Sequence, residues 1–396
     1  MTEAYLVGGV RTPVGRYGGA LASVRPDDLA SIVVREAVRR AGIDPLRVEI
    51  DEVILGAANQ AGEDNRNVAR MAVLLAGLPD SVPGITVNRL CASGMSAITM
   101  AAQAIRAGDA DIIVAGGVES MTRAPWVQAK PEKAWAKPGA AFDTSIGWRF
   151  PNPRLSAREK ATFSMPETAE EVARIDGISR EEADAFAVRS QQRAAAAIAA
   201  GRFEAEIVGV PVGSGEVLVD EGPRPETTLD ALARLRSVVA GGQVVTAGNS
   251  SALNDGASAI VVASAEAVER YGLVPRARIV AGTSAGLAPE VMGLGPVPAT
   301  QKALRRAGLS IDDIGSIELN EAFATQSLAC IRRLDLDESR VNADGGAIAL
   351  GHPLGSSGSR LLVTLLGRME REGSRYGLAT MCVGVGQGAA LIVEKV

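Results

Sequence analysis

At 396 residues and 40.8 kDa, the chain is long enough for two or three packed units at roughly 150 residues each. Apolar residues at 47% against 22% charged exclude a disordered or collagen-like chain, and 44 glycines beside 3% aromatics suit α/β units whose helices lie close on sheets. A net charge of −5 with no basic tail or stripe argues against nucleic acid, and three cysteines, an odd number, argue against a disulfide framework and for a reducing compartment.

The opening MTEAYLVGGVRTP lacks the basic region, apolar run and cleavage site of a signal peptide. No stretch is long and clean enough to span a bilayer, and the final EKV is no peroxisomal address; the expectation is a cytoplasmic protein without a membrane partner. Further along, Arg39-Arg40-Ala41-Gly42 recurs as Arg305-Arg306-Ala307-Gly308, 266 positions later. Ser93-Gly94, opening a small-residue helical stretch, recurs as Ser357-Gly358 at an offset of 264, and a Val-Asn pair precedes each copy, Val87-Asn88 and Val341-Asn342. Each copy continues through a helical run into an apolar strand, DIIVAGG at 111–117 and LATMCVG at 378–384. Matched order, spacing and predicted structure favour two related α/β halves. Alternating strands and helices predict right-handed crossovers and a mainly parallel sheet covered on both faces.

Residues 119–249 have no counterpart in the second copy and change character, with Pro, Trp and Lys over 125–138 and then PNPRLSAREK. They read as an insertion. Within it Ser179 and Glu182 form a capping box and Gly201 supplies a stop, which predicts a helix over 180–200.

Cys91, in VNRLCASGMSA, falls where a strand ends and a helix begins, so the helix dipole would favour its thiolate. The plainer reading is a buried structural cysteine. The equivalent loop of the second copy, GGAIALGHPLGSSGS, carries the single histidine of the chain, His352; a tight turn or a functional site would each account for its glycines. The repeat would aim both residues at one crevice, where nucleophile and base could meet. Cys382, in MCVGVGQG, lies at the end of the last strand but one, and Asn320, in ELNEAFA, at another strand end. Cys330 reads as core packing. One His and three scattered Cys exclude the short-spaced ligand pairs of a zinc site, so no metal is expected. The sequence also lacks a phosphate-binding loop and a dinucleotide fingerprint.

The blocks NRLCASGM, TAGNSSALNDGA (246–257), NEAFA (320–324), GGAIALGHPLGSSG (345–358) and CVGVGQG (382–388) together resemble the thiolases, which exchange acyl groups between coenzyme A and carbon. The resemblance spans essentially the whole chain. It implies a five-layer αβαβα fold: an N-terminal half (1–118 and 250–272), an inserted loop domain (119–249) for coenzyme A binding and tetramerisation, and a C-terminal half (273–396). It also implies a homotetramer built as a dimer of dimers, with coenzyme A and acetyl-CoA as substrates and no tightly bound cofactor. Residue by residue, it makes Cys91 the acylated nucleophile, His352 its base and Cys382 the second acid/base. Asn320, through a water, and His352 would form one oxyanion hole, and the N–H groups of Cys91 and Gly384 the other. Attack on the thioester carbonyl and formation of the acetyl-CoA enolate place charge on different oxygens, so two donor pairs are required.

For coenzyme A the resemblance implies Arg224 near the adenine and phosphates, Ser251 facing the pantetheine, and Met165 and Met292 as apolar lining; each methionine also reads as a core gap-filler. Ser164 replaces a histidine of some biosynthetic members. Stretches 59–72, 145–150 and 291–299 are similar to the subgroup that cleaves β-ketoadipyl-CoA in aromatic-compound breakdown. Such a substrate needs a cation or donors for its distal carboxylate, for which Arg66, Arg70 and Arg149 are the candidates. The competing readings are a general acetyl-CoA acetyltransferase forming acetoacetyl-CoA and, from another class, a non-catalytic lipid-binding relative. A condensing enzyme with a second catalytic histidine and a papain-like peptidase both fit the chain poorly.

Overall fold

A computed structural model describes residues 2–396. Its principal elements in the first half are β1 (Ala4–Arg11), α1 (Pro26–Arg40), β2 (Glu52–Gly56), α2 (Val68–Ala76), β3 (Gly84–Val87), α3 (Ser93–Ala107) and β4 (Ile112–Ser120). The insertion contributes α4 (Met165–Asp176) and α5 (Arg180–Ala199). Then follow β5 (Asn254–Ser264), β6 (Pro275–Gly286), α6 (Pro296–Ala307), β7 (Ile314–Leu319), α7 (Ala324–Leu334), α8 (Leu354–Glu372), β8 (Tyr376–Val383) and β9 (Gln387–Lys395).

The strands run in the order β7-β8-β9-β6-β1-β5-β4-β2-β3. Cut between β6 and β1, this is one pattern used twice. The edge strand β3 pairs parallel with β2, and at the matching place Val341 forms a parallel bridge to Ile317 of β7. After Val87 and Val341 an asparagine holds the end of the neighbouring strand or the loop just beyond it: Asn88 Nδ2 donates to Ala58 O (2.9 Å) and Asn342 Nδ2 to Leu319 O (2.7 Å). Both Arg-Arg-Ala-Gly repeats end a helix on a glycine with positive φ, Gly42 at 73° and Gly308 at 67°, a backbone that glycine adopts without a Cβ penalty.

The sheet is mixed, which corrects the expectation of mainly parallel strands. Only β2·β3, β2·β4 and β7·β8 are parallel; β1·β5, β5·β4, β1·β6, β6·β9 and β8·β9 are antiparallel. The reason is local. A hairpin needs no crossover helix, and β8 turns directly into β9 through Gly384–Gly386, where Val385 (φ 61°) and Gly386 (φ 74°) take left-handed backbone. In the first half the same place, between β4 and β5, holds the insertion. Glu119 and Ser120 still pair with Gly256 and Asp255, so both lie in the first-half sheet.

Three apolar cores separate the five layers. Leu29, Val33 and Val34 of α1 pack on Leu55, Val114 and Val261. Met95 and Ile98 of α3, with Leu361 and Leu365 of α8, fill the middle against Ile113, Ile260, Met381 and Leu391. On the far side Ala303 of α6 and Leu328 of α7 cover Leu319 and Ile392, joined by Val172 and Phe186 of the insertion. Successive residues Ile113 and Val114 of β4 thus face different cores, as the two-residue repeat of a strand requires. The insertion leaves the first half yet packs over the second. A buried fork fastens it: Arg11 of β1 donates to both oxygens of Asp220 (2.6 and 2.9 Å) and to Glu206 (2.6 Å). The predicted 180–200 helix is α5, with the Ser179–Glu182 capping box in place.

Candidate active site

The first turns of α3 and α8 cross in the central layer at backbone contact. A methyl group on Gly358 would run into the backbone nitrogen of Met95, and one on Gly117 into the carbonyl oxygen of Gly355. This crossing brings the two repeated turns to one cavity of about 910 Å³, whose wall includes Cys91, His352, Cys382 and Gly384.

Cys91 lies in the tight turn Leu90–Ala92 ahead of α3. Leu90 adopts φ 47°, a conformation that costs energy in a residue with a Cβ and persists only where the surroundings impose it. Here they do: Leu90 N–H donates to Asn88 Oδ1 (2.8 Å), and Ser93 Oγ accepts from Arg89 N (2.9 Å) while donating to Leu90 O (2.7 Å). Burial pushes the Cys91 thiol up to about 11, opposed by the backbone N–H groups of Gly384 and of Cys91 itself. Burial thus opposes the preference that the helix start gives the thiolate, with no cation adjacent to offset it.

His352 sits just before α8. Its backbone N–H donates to Asn254 Oδ1 (2.9 Å), its Nδ1 lies 2.6 Å from Ser357 Oγ, and its Nε2 lies 3.4 Å from Asn320 Nδ2. Burial and then the charge of Arg360 lower its pKa to about 3, so the imidazole is neutral at physiological pH. Cys382, 1% exposed, is the penultimate residue of β8. Burial, then the neighbouring Cys91, push its thiol well above the usual range. A thiol held protonated is a proton donor.

Asn320 is fully buried behind His352 and is not part of the cavity wall. Its N–H donates to Thr380 O (3.0 Å), and its Oδ1 has no protein partner among the described residues. Gly384 lies between Leu90 and Met165, the atoms a Cβ there would meet first. Met165, the first residue of α4, and the buried Met292 both line the cavity. Ser251 Oγ donates to Ala322 O (3.1 Å). Arg224 stands exposed at the rim, its backbone N–H held by Gln191 Oε1 of α5 (2.7 Å). Ser164 caps α4 in a box with Glu167. Cys330 is fully buried in α7, donating to Gly293 O (3.3 Å).

The three arginines proposed for a distal carboxylate separate. Arg66 and Arg70 are not on the cavity wall, and Arg70 is spent on Val82 O and Asp80 O. Arg149 is on the wall, as is Arg16, which sequence reading missed.

Three supporting groups were also missed. Glu119 is buried at the end of β4, its Oε2 accepting from Ala58 N (2.9 Å) and Gly355 N (2.8 Å) and its Oε1 from Asn59 N (3.0 Å). One carboxyl thus ties the β2 exit loop to the first turn of α8. Burial raises its pKa to about 7 against those three N–H groups. Glu321, beside Asn320, accepts from Ser190 Oγ (2.6 Å), Asn342 Nδ2 (2.8 Å) and Ile348 N (3.2 Å). Asn254, which positions His352, also donates to Gly15 O (2.9 Å). Among the described residues no group of His, Cys, Asp or Glu is placed to hold a metal, and no helix is long and apolar enough to cross a membrane.

Two sequence families match the chain in order, "Thiolase, N-terminal domain" over residues 4–266 and "Thiolase, C-terminal domain" over 273–395. A β-ketoadipyl-CoA thiolase from Pseudomonas aeruginosa is 57% identical, covering 100% of this chain and 99% of its own. A 3-oxoadipyl-CoA/3-oxo-5,6-dehydrosuberyl-CoA thiolase from Escherichia coli K12 is 56% identical with 100% of both chains covered. The crystal structure of human mitochondrial 3-ketoacyl-CoA thiolase in complex with CoA superposes with a TM-score of 0.93 at 39% identity, covering 100% of this chain and 98% of that one. With the repeated halves, the five layers and the two thiols and imidazole on one cavity, the chain belongs to the thiolase family and is an acyl-CoA C-acyltransferase.

Proposed function

We propose that the chain cleaves a carboxylate-ended 3-ketoacyl-CoA, β-ketoadipyl-CoA, with free coenzyme A, releasing acetyl-CoA and succinyl-CoA. The reaction reading is carried by the convergence of Cys91, His352 and Cys382 on one cavity; the substrate is supported by full-length identity to thiolases of that name.

In this reading His352 Nε2 takes the Cys91 proton as the sulfur adds to the C3 carbonyl. The new oxyanion is received by the N–H groups of Cys91 and Gly384. The C2–C3 bond then breaks, leaving a succinyl thioester on Cys91 and the enolate of acetyl-CoA. Having gained a proton, Nε2 becomes a donor to the enolate oxygen together with Asn320, acting through a water, and Cys382 S–H protonates C2. Coenzyme A thiol next gives its proton to the Cys382 thiolate as its sulfur attacks the acyl-sulfur carbonyl, and the proton on His352 Nε2 returns to Cys91 as that sulfur leaves, which restores the starting state. The covalent intermediate divides one difficult transfer into two easier ones. Arg224 and Ser251 would hold the coenzyme, with Met165 and Met292 against its apolar arm; residues 119–249 would act as the loop domain over halves 1–118 with 250–272 and 273–396.

The reading extends to a homotetramer in the cytoplasm. Its support is an apolar face of Met71, Leu74, Leu75, Ile85 and Met100, each 38–44% exposed around the unpaired edge of β3, and three free cysteines. Purified enzyme assayed for thiolysis should show a higher kcat/KM for β-ketoadipyl-CoA than for acetoacetyl-CoA. The reverse order would favour a general acetyl-CoA acetyltransferase and discard this substrate.

A further inference from the structure

The cavity wall carries three arginines, Arg16, Arg149 and Arg224, and none lies within the 4.0 Å of a carboxylate that defines an ion pair among the described residues. An arginine without a carboxylate partner gains most from a planar anion that takes both arms of its fork. The three are held by different neighbours. Arg224 takes its backbone bond from Gln191 of α5. Arg149 is tied elsewhere. Its Nη1 lies 3.5 Å from Thr144 O; Thr144 O and Oγ1 each accept from Asn59 Nδ2 at 3.1 Å; and Asn59 N–H donates to Glu119, the carboxylate whose charge is felt at Cys91. A run of hydrogen bonds, Glu119 to Asn59 to Thr144 to Arg149, thus joins Arg149 to the buried carboxyl on the cavity wall that also carries Cys91. Around Arg149 the wall is apolar, with Ile146, Trp148 and Phe163.

Resting on the substrate reading above, we propose that Arg149 binds the distal carboxylate of the acyl chain and sets the preference of the enzyme for carboxylate-ended substrates. Arg149 is a specificity residue here and takes no part in proton or acyl transfer. The carboxylate of a chain bound at Cys91 would replace the weak contact to Thr144 O with a paired, charge-assisted one. Arg16 is the alternative wall arginine: Glu221 accepts from its backbone N–H (2.8 Å) and its Nη2 reaches Gly222 O (3.4 Å), whereas Arg149 feels the buried carboxyl of Asp64 and makes only the Thr144 contact.

The test measures thiolysis of β-ketoadipyl-CoA and of 3-ketohexanoyl-CoA, which has the same chain length and a methyl end, by wild type, Arg149→Gln, Arg149→Lys and Arg16→Gln. In Arg149→Gln the ratio of kcat/KM between the two substrates should fall roughly 100-fold, mainly through KM for the charged one, as expected when a site built for a polar group loses its partner. Arg149→Lys should recover part of that ratio. An unchanged ratio in Arg149→Gln, or the selective loss appearing in Arg16→Gln instead, overturns the assignment while leaving the substrate intact. A wild-type enzyme with no preference for the charged chain overturns the substrate reading, and Arg149's role with it.

Discussion

His352 Nδ1 lies 2.6 Å from Ser357 Oγ, and that hydroxyl donates onward to Pro353 O at 2.9 Å. Because the Ser357 proton is committed to the carbonyl, Nδ1 carries the ring proton and Nε2 keeps its lone pair, since the bond at one ring nitrogen sets the state of the other. Ser357→Ala should thus lower kcat by about fivefold, the worth of one hydrogen bond, with KM little changed. His352→Ala should slow both half-reactions by roughly 10²–10⁴-fold, the usual cost of losing a general base. Rapid-quench measurement of Cys91 acylation checks both, and near-normal acylation in His352→Ala would end its role as the base.

The protonation states of Cys91 and His352 predict a pH profile. With His352 neutral above about 3 and Cys91 a thiol below about 11, the pair rests uncharged through the neutral range. Only the thiolate is alkylated, so the inactivation rate by iodoacetamide should rise roughly tenfold per pH unit from about pH 6 to about pH 9, without a plateau. Acetyl-CoA should protect, and mass spectrometry without free coenzyme A should find a single acyl adduct, on Cys91. A plateau near neutral pH would mean that Cys91 and His352 rest as an ion pair.

Cys382 can be separated from Cys91 by isotope exchange. Once Cys91 is acylated it cannot act as a base, and Cys382 is the other thiol on the cavity wall. Cys382→Ser should still accept an acetyl group from acetyl-CoA but should lose exchange of the methyl hydrogens with deuterated solvent. Exchange at the native rate would make Cys382 a packing residue.

Glu119 has a stability signature as well as a positioning one. Its folded pKa of about 7 lies above the 4.5 of an open chain, so its stabilising contribution is fully present below 4.5 and is lost as pH rises through 7. Glu119→Gln leaves one acceptor oxygen for three N–H groups and should destabilise by about 1–3 kcal/mol. The melting-temperature deficit should be largest on the acid side and shrink above pH 7. A deficit that widens with pH would place the folded pKa of Glu119 below its open-chain value, with the three N–H groups outweighing burial.

Much of this protein is determined locally. The duplication was legible because the Arg-Arg-Ala-Gly ends, the Val-Asn clamps and the Ser-Gly helix starts each act within a few residues, through a positive-φ glycine, a side-chain bond to the next strand, or a close helix approach. The α5 boundaries followed from a capping box and a stop glycine for the same reason. Cys91, His352, Asn320 and Cys382 were legible because each stands in its own short block at a strand or helix end.

The tertiary structure decided what depends on residues far apart in the chain. Strand direction was misread because a three-residue turn at Gly384–Gly386 and a long insertion at the matching place in the first half both close antiparallel pairs, so neither spacing nor helix alternation reports orientation. Glu119 gave no sequence signal, since its partners Ala58, Asn59 and Gly355 come from both halves. Arg66, Arg70 and Arg149 were equivalent as letters; only the packed wall separates them, leaving Arg149 facing the cavity while Arg70 is spent on nearby carbonyls. The state of Cys91 also belongs to the assembled site. A helix start alone would favour its thiolate, but packing of the assembled site around it raises the thiol against that dipole.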